Sequence, residues 1–360
     1  LKNEQPDNFD AQIALGRIWF ELHDFGKALD AFDGAIRLNS RNARAFYNKG
    51  KTLAALQCKE QAVEAYEQSI YLDPDAHHAY TNLGNLLREL GRLEDALNLH
   101  RIACDLDPSS PRPKNNIALV MKELGHLDAA LESYDEALAL DPDSVDVNWN
   151  KSLLLLLQGN YEEGWPLYEW RLKREDTLQE YPQFAQPSWR GETDLRGQRL
   201  LVHLEQGLGD MVQFCRYIPI LVDKGIEVIL QVQTSLLPLI ASLESDVTLV
   251  SQDDPLPDFD AYCPLMSLPY ALGTTLETIP SSDSYLSPCP EKVAEWREKL
   301  GSADALRVGL AWSGRKEHKN DHNRSMALAN LLPVLDVPVE WHSIQKDYRS
   351  VDLDVLKTLP

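Results

Sequence analysis

The 360-residue sequence lacks long apolar runs, paired cysteines and an excess of cations. A membrane-spanning helix needs ~18 or more consecutive apolar residues, and the longest notable run here, residues 153–157, is a fragment of a helix. The 35 lysines and arginines against 56 acidic residues give a formal net charge of −21. This balance argues against a nucleic-acid binder, because phosphate contacts need clustered cations.

Cysteine is also scarce, with five residues and no C-x-x-C pair, so neither a zinc site nor a disulfide framework is indicated. We expect reduced, buried thiols in a cytoplasmic protein. The chain begins with Leu1, not Met, and carries no signal-peptide pattern, so we expect an excerpt of a longer protein. Its length favours two or three domains, because single cores stop growing near ~250–300 residues.

A period of 34 residues runs through the first half of the chain. Asp-Pro pairs recur at that spacing, ending in Pro74, Pro108 and Pro142. Small residues recur in the same register: Gly50 and Gly84; Ala28, Ala62, Ala96 and Ala130; Ala35, Ser69, Ala103 and Ala137. The pattern predicts pairs of helices that cross closely at small residues, with Phe32, Tyr66 or Tyr134 filling the gap between them and proline ending the second helix.

This pattern resembles the tetratricopeptide repeat, which has two antiparallel helices per unit. Four repeats are predicted to begin near Phe9, Ala43, His77 and Pro111, and a degenerate fifth near Val145. In the fifth, large aromatic residues replace small ones, at Tyr161, Trp165 and Trp170 among others. We therefore expect a capping unit that docks onto something other than a sixth repeat.

Asparagine recurs every 34 residues in the first helix of the repeats, at Asn48, Asn82, Asn116 and Asn150. The position faces the concave groove of a repeat stack, so the four amides should form a ladder along it. The ladder resembles that of the O-linked N-acetylglucosamine transferase superhelix. A primary amide both donates and accepts hydrogen bonds, which suits capture of an extended peptide. The alternatives are consensus chemistry of the repeat and packing on a neighbouring domain.

After Gly197 the periodicity changes to alternating strands and helices. Strands are predicted at 199–204, 227–232 and 247–250, with helices at 211–224 and 235–243 between them. Pro219 should kink or end the first helix. The alternation predicts a parallel sheet with helices on both faces.

A glycine turn, Gly207-Leu208-Gly209-Asp210, follows the first strand. The third glycine of a dinucleotide fingerprint would fall at Val212, which argues against a nicotinamide or flavin site. The turn should carry the Asp210 carboxylate to the carboxyl end of the strand, where open α/β sheets bind ligands. A helix N-cap is the compatible structural role for this aspartate.

A second strand-helix unit begins at Arg307, after a proline-rich connection at 255–269 that periodicity does not explain and a predicted helix at 290–300. Strands are predicted at 307–312 and 339–344, with a helix at 325–335 between them. The loop before this helix is rich in basic residues: Arg315, Lys316, His318, Lys319, His322 and Arg324. A basic loop that leads into a helix N-terminus at Ser325 suits a phosphate or diphosphate; a solvated charged loop is the alternative.

Four segments of the second half, at 205–219, 260–269, 307–314 and 320–325, resemble a bacterial family of tetratricopeptide proteins fused to a heptosyltransferase-like glycosyltransferase of family 9. The resemblance implies a repeat solenoid at 1–175, a linker at 176–197, a first Rossmann-like GT-B domain at 198–300 and the beginning of a second at 301–360. It also implies inverting, metal-independent sugar transfer, with a nucleotide sugar as substrate and no further cofactor.

Site roles follow from the same resemblance. Asp210 matches the general base of the family, Ser313 a hydroxyl on the diphosphate loop, and Arg324 with Ser325 the cation near the phosphates. Gln345 and Lys346 could approach the nucleotide. The sequence ends two strands into the second domain, so we expect this fragment alone to be inactive. The alternatives are a non-catalytic scaffold that binds a protein or peptide in the repeat groove, and a phosphate-ligand sensor without catalysis.

Overall fold

The computed structural model describes residues 8–175, 181–205, 207–243, 245–282, 284–302, 304–316 and 321–359. These residues form two compact units. The first holds the described residues up to 240 together with those of 245–285, and the second holds those of 241–243 and 286–359.

Five successive helix pairs open the described part of the chain. They are α1 (Phe9–Glu21) and α2 (Phe25–Leu38), α3 (Ala43–Ala55) and α4 (Lys59–Leu72), α5 (His77–Glu89) and α6 (Leu93–Leu106), α7 (Pro111–Glu123) and α8 (Leu127–Leu140), α9 (Val145–Leu157) and α10 (Tyr161–Tyr168). The first helix of each pair begins where the 34-residue period predicts. The α10 helix is short, and a 3₁₀ helix at Glu169–Lys173 follows it.

In the first three pairs, a glycine of the first helix packs against a ring of the second helix. A Cβ at Gly50 would lie 2.8 Å from the Tyr66 ring, and one at Gly84 would lie 2.6 Å from the ring of His100. His100 therefore occupies the position that Tyr66 occupies one repeat earlier. The predicted series of Phe32, Tyr66 and Tyr134 did not include it. Close packing of this kind leaves no room for a larger residue at the glycine positions.

A four-stranded parallel sheet follows the repeats. Its strands are β1 (Arg199–His203), β2 (Glu227–Val232), β3 (Val247–Ser251) and β4 (Ala261–Pro264), and their spatial order is β3-β2-β1-β4. Leu200 pairs with Val228 of β2 on one side and with Ala261 of β4 on the other. The β4 strand lies in the proline-rich segment for which the sequence predicted only a connection.

Short helices lie between and after these strands: α11 (Leu208–Phe214) and α12 (Ile218–Asp223) between β1 and β2, α13 (Leu237–Ile240) between β2 and β3, and α14 (Leu268–Ala271) after β4. The break before α12 confirms the prediction at Pro219, because proline is tolerated only in the first turn of a helix. The predicted helix at 235–243 is shorter in the structure, where a 3₁₀ helix at Thr234–Leu236 precedes α13.

The second unit contains a two-stranded parallel sheet of β5 (Arg307–Leu310) and β6 (Glu340–Ser343). Its α-helices are α15 (Pro290–Leu300), α16 (Asp321–Arg324), α17 (Leu332–Leu335) and α18 (Ser350–Leu356). The predicted helix at 325–335 is wrong. The α16 helix ends before Ser325, a 3₁₀ helix spans Leu328–Leu331, and α17 begins with Pro333 in its first turn, because proline cannot lie in a helix interior.

Two further expectations concern the burial of the cysteines and the lack of membrane-spanning helices. Cys215 and Cys263 are buried, as expected, but Cys58 and Cys289 are exposed, so burial was wrong for these two thiols. No helix in the described ranges has the length and apolar character that crossing a bilayer requires.

Candidate functional site

The four predicted groove asparagines divide into two pairs. The Asn82 Nδ2 donates to the Tyr47 hydroxyl at 3.1 Å, and the Asn150 Nδ2 donates to the Asn115 Oδ1 at 3.0 Å. In both cases the acceptor lies 35 residues earlier, on the first helix of the preceding repeat. Each of these two amides therefore donates a hydrogen bond that connects neighbouring repeats.

The other two amides, of Asn48 and Asn116, have a buried Nδ2 with no hydrogen-bond partner in the described part of the chain. The residue 35 positions before Asn48 is Ile13, which offers no acceptor. The residue 35 positions before Asn116 is Thr81, whose hydroxyl instead donates to the His77 carbonyl at 3.0 Å. The earlier residue therefore explains the unpaired amide of Asn48, and the sequence contained this signal; Thr81 carries a hydroxyl that can still accept, so its identity does not explain the unpaired amide of Asn116.

A second candidate site lies where β1 ends. Asp210, in the first turn of α11, is half-buried and accepts a hydrogen bond from the Gly207 N–H. Burial, and after it the negative charge of Glu205, raises the pKa of Asp210. A Cβ at Gly207 would collide with the Asp210 carboxylate, whereas one at Gly209 would meet nothing within 4 Å. The N-cap of α11 is Gly207, and Asp210 lies in the first turn of the helix, so the N-cap position predicted for Asp210 is wrong.

Glu205, the second residue after β1, is buried at this edge of the sheet and accepts hydrogen bonds there. The Met266 N–H after β4 donates to its Oε1 at 2.8 Å, and the Gln233 amide after β2 donates to its backbone carbonyl at 3.2 Å. The carboxyl ends of three neighbouring strands therefore meet at one residue, as they do at the ligand edge of an open parallel sheet.

The fifth repeat supplies the counter-charge. Arg171, which is 4% exposed, donates to both carboxylate oxygens of Glu205 at 2.9 and 3.1 Å and to Glu169 at 2.7 Å. The Tyr181 hydroxyl also donates to Glu205, at 2.9 Å. Burial opposes ionisation of Glu205, but the Arg171 guanidinium outweighs it and holds the pKa of that carboxyl below its usual range. The sequence analysis missed Arg171 and Glu205.

In the second unit, two of the predicted phosphate ligands, Gln345 and Ser325, instead form hydrogen bonds within the protein that stabilise the loop after β5. The Gln345 Oε1 accepts from the backbone N–H groups of Trp312 and Ser313 at 3.0 and 3.1 Å, and its Nε2 donates to the Ser313 carbonyl at 2.8 Å. The Ser325 hydroxyl donates to Asp321 at 2.6 Å and accepts from the Gly314 N–H at 2.9 Å.

The remaining predicted phosphate ligands differ in their surroundings. The Ser313 hydroxyl is buried without a hydrogen-bond partner among the residues that the structure describes, and Arg324 and Lys346 are exposed. His318 and Lys319 lie outside the described residues. Asp210 belongs to the first unit and this loop to the second, and the roles that the resemblance implies for them stay predictions.

Comparison with known proteins matches the repeats. The family model "Tetratricopeptide repeat" matches residues 1–43, 13–70 and 41–111, and the family model "TPR repeat" matches residues 122–159. Protein FlbA of Caulobacter vibrioides is 30% identical over 211 residues, which cover 52% of this chain and 35% of FlbA. The match thus spans about a third of the length of that relative.

Similar solved structures include PilF of Pseudomonas aeruginosa, at 22% identity and TM-score 0.43, with 49% of this chain and 78% of that chain covered. A thermophilic TPR protein of Thermus thermophilus is 23% identical at TM-score 0.42, with 48% and 94% covered. Together, the repeat models and the five helix pairs identify the N-terminal half of the chain as a solenoid of tetratricopeptide repeats.

Proposed function

We propose that this chain is a protein-binding scaffold whose repeats capture an extended peptide through Asn48 and Asn116. The observation that carries the proposal is the pair of buried Nδ2 groups without a partner in the described ranges, in a ladder whose other two members are occupied.

Unsatisfied buried donors are unfavourable, each costing about 1–3 kcal/mol relative to a hydrogen-bonded state. A peptide carbonyl that accepts from such an amide removes this cost. Since every residue of an extended peptide carries a carbonyl, the amides can hold a segment whatever its side chains are. Binding therefore gains free energy at the two positions where the repeats leave a donor unused.

A selection with the full chain tests this proposal. A random dodecapeptide library displayed on phage is selected against the protein, and enriched peptides are synthesised for affinity measurements. Replacing both Asn48 and Asn116 by alanine should weaken binding about 30-fold, which corresponds to ~2 kcal/mol for two lost hydrogen bonds.

The matched control replaces Asn82 and Asn150 by alanine, because their Nδ2 groups already have partners within the repeats. This variant should retain more affinity than the first one when both remain folded by circular dichroism. Failure to enrich any peptide, or equal affinity of the Asn48 and Asn116 variant and the unmodified chain, contradicts the proposal.

A second candidate function is inverting, metal-independent sugar transfer from a nucleotide sugar, with Asp210 as general base in the intact protein. It is supported by the parallel strand order and by a glycine turn that carries a half-buried carboxylate at the carboxyl end of β1. A carboxyl group whose pKa is raised, as burial and Glu205 raise that of Asp210, is a stronger base for an acceptor hydroxyl once ionised.

The test of the second candidate uses the intact protein and measures release of nucleoside diphosphate from a panel of nucleotide sugars, with a chelator present. Asp210→Asn should lower release at least ~100-fold, in the range typical of general-base removal. Asp223→Asn, an exposed aspartate at the end of α12, is the control and should leave release unchanged. The absence of release from every nucleotide sugar, or equal rates for the intact protein with and without Asp210→Asn, would reject this candidate.

A further inference from the structure

A cavity of about 540 Å³ lies between α2 and α4, the second helices of the first two repeats, and beside α3. This volume is within the ~300–1,000 Å³ of pockets that enclose a ligand. The apolar part of its lining consists of Leu29, Phe46, Leu53 and Ala65. Phe46 and Leu53 lie two and five positions from Asn48, and the helical rotation of ~100° per residue turns them away from the side of α3 that carries this asparagine. The cavity is therefore separate from the groove.

The 34-residue register shows that this lining is particular to the first two repeats. Ala65 is equivalent to Leu99 of the next repeat, which packs against the core there. Between the third and fourth repeats, two of the lining positions hold Lys114 and Glu136, which form an ion pair. The small Ala65 side chain thus leaves space at a position that a leucine occupies one repeat later.

The unbalanced charge around the cavity is negative. Asp33 of the lining pairs with Lys49 at 2.8 Å, so these two charges balance each other. Glu64, also in the lining, is exposed and has no ion pair within the part of the chain that the structure describes. Glu60 and Glu67 of the same helix are exposed as well. Apolar walls beside an unbalanced carboxylate complement a side chain that has an apolar stem and a cationic end.

From this arrangement we infer that the cavity docks a basic segment of a partner protein, with the stem of an arginine or lysine against Phe46 and its charge beside Glu64. Such side chains bury their methylene groups on apolar surface while the charged end stays hydrated, and cations are attracted to aromatic rings. The net charge of −21 attracts a basic segment from a distance. The inference goes beyond peptide capture in the groove, because it concerns another side of the repeats.

The experiment selects a random dodecapeptide phage library against the full chain carrying Asn48→Ala and Asn116→Ala, so that peptides held by the groove amides are disfavoured. We expect basic peptides to be enriched, and changing their arginines and lysines to glutamine should weaken binding at least about fivefold. Ala65→Leu introduces the residue that the next repeat carries and should weaken binding at least about tenfold by filling the cavity. Fluorescence anisotropy of the synthesised peptides measures each affinity.

Two charge reversals form the matched comparison. Glu64→Arg should weaken the basic peptides at least about tenfold, since like charges then face each other. Glu132→Arg makes the same change at the equivalent exposed position two repeats later, where screening should limit the effect to less than about twofold. Circular dichroism checks that each variant is folded.

Three results overturn the inference: no basic peptide is enriched, the two charge reversals weaken binding equally, or Ala65→Leu leaves binding unchanged. None of them bears on the groove, which the replacement of Asn48 and Asn116 tests separately with peptides selected against the unmodified chain.

Discussion

His100 is the residue whose burial is least compatible with its chemistry. Its side chain is fully buried, and neither ring nitrogen has a hydrogen-bond partner in the described ranges. Burial, together with the positive charge of Arg88, lowers the pKa of His100 to about 4. The ring is therefore neutral in the folded repeat at physiological pH, where it packs on Gly84 as Tyr66 packs on Gly50.

This burial predicts an acid-sensitive fold. The unfolded chain protonates the same histidine near pH ~6.5, so stability is complete above that pH and is lost as pH falls toward the folded-state value of about 4. The free energy of unfolding should fall by up to ~1.4 kcal/mol per pH unit in this window through this residue. Urea unfolding at pH 7 and pH 5 measures the effect.

His100→Phe should reduce the stability difference between the two pH values, because phenylalanine, present as Phe32 at the equivalent position of the first repeat, does not titrate. His126→Gln changes an exposed histidine and should preserve the difference. If His100→Phe shows the same difference between pH 7 and pH 5 as the unmodified chain, the buried neutral ring is not the cause.

At the scale of elements, the sequence predicts what repeats or alternates. The 34-residue period gave the first helix of every pair because each repeat buries the same small positions against the same ring position. The alternation of strands and helices in the second half did not predict β4, which has only four residues and ends in Pro264. Such a strand is defined by its pairing with β1, a contact between segments about 60 residues apart that no local pattern records.

The candidate sites follow the same rule. The spacing of the asparagines was predictable, because it is part of the repeat, but their availability depends on a residue 35 positions earlier, such as Ile13 before Asn48. Arg171 and Glu205 could not be paired from the sequence, since one lies in a 3₁₀ helix of the fifth repeat and the other after β1. The sequence pattern therefore predicts the positions of repeated residues, whereas the contacts between segments distant in sequence depend on the fold.

At the scale of the whole molecule, the repeats and the four-stranded sheet belong to one compact unit, and the hydrogen bond of Arg171 with Glu205 is a buried contact between them. The guanidinium also donates to the Ser267 hydroxyl at 2.8 Å, so it contacts residues that follow both β1 and β4. The Trp149 ring of the fifth repeat lies 5.0 Å from that of Tyr168, and the Arg171 guanidinium lies 4.7 Å from the centre of the Tyr168 ring. These contacts connect the fifth repeat to the carboxyl edge of the sheet.

Breaking this buried ion cluster should destabilise the first unit. Arg171→Met leaves the carboxylate of Glu205 buried without a cation and that of Glu169 with Arg190 alone, at 3.4 Å; removing one partner of a buried ion pair typically costs ~3–5 kcal/mol. Changing both glutamates to glutamine in the same variant should recover much of the loss, because the uncompensated charges are then removed. Urea unfolding followed by tryptophan fluorescence measures both effects.

The control is Arg92→Met, which breaks an ion pair with Asp95 of 2.7 Å whose side chains are 55% and 53% exposed. Exposed pairs contribute little, so the urea midpoint should not move measurably. If Arg171→Met unfolds at the midpoint of the unmodified chain, the cluster does not stabilise the unit. If the triple variant is no more stable than Arg171→Met, lost packing and not stranded charge is the cause, since the arginine stem also contributes to the contact.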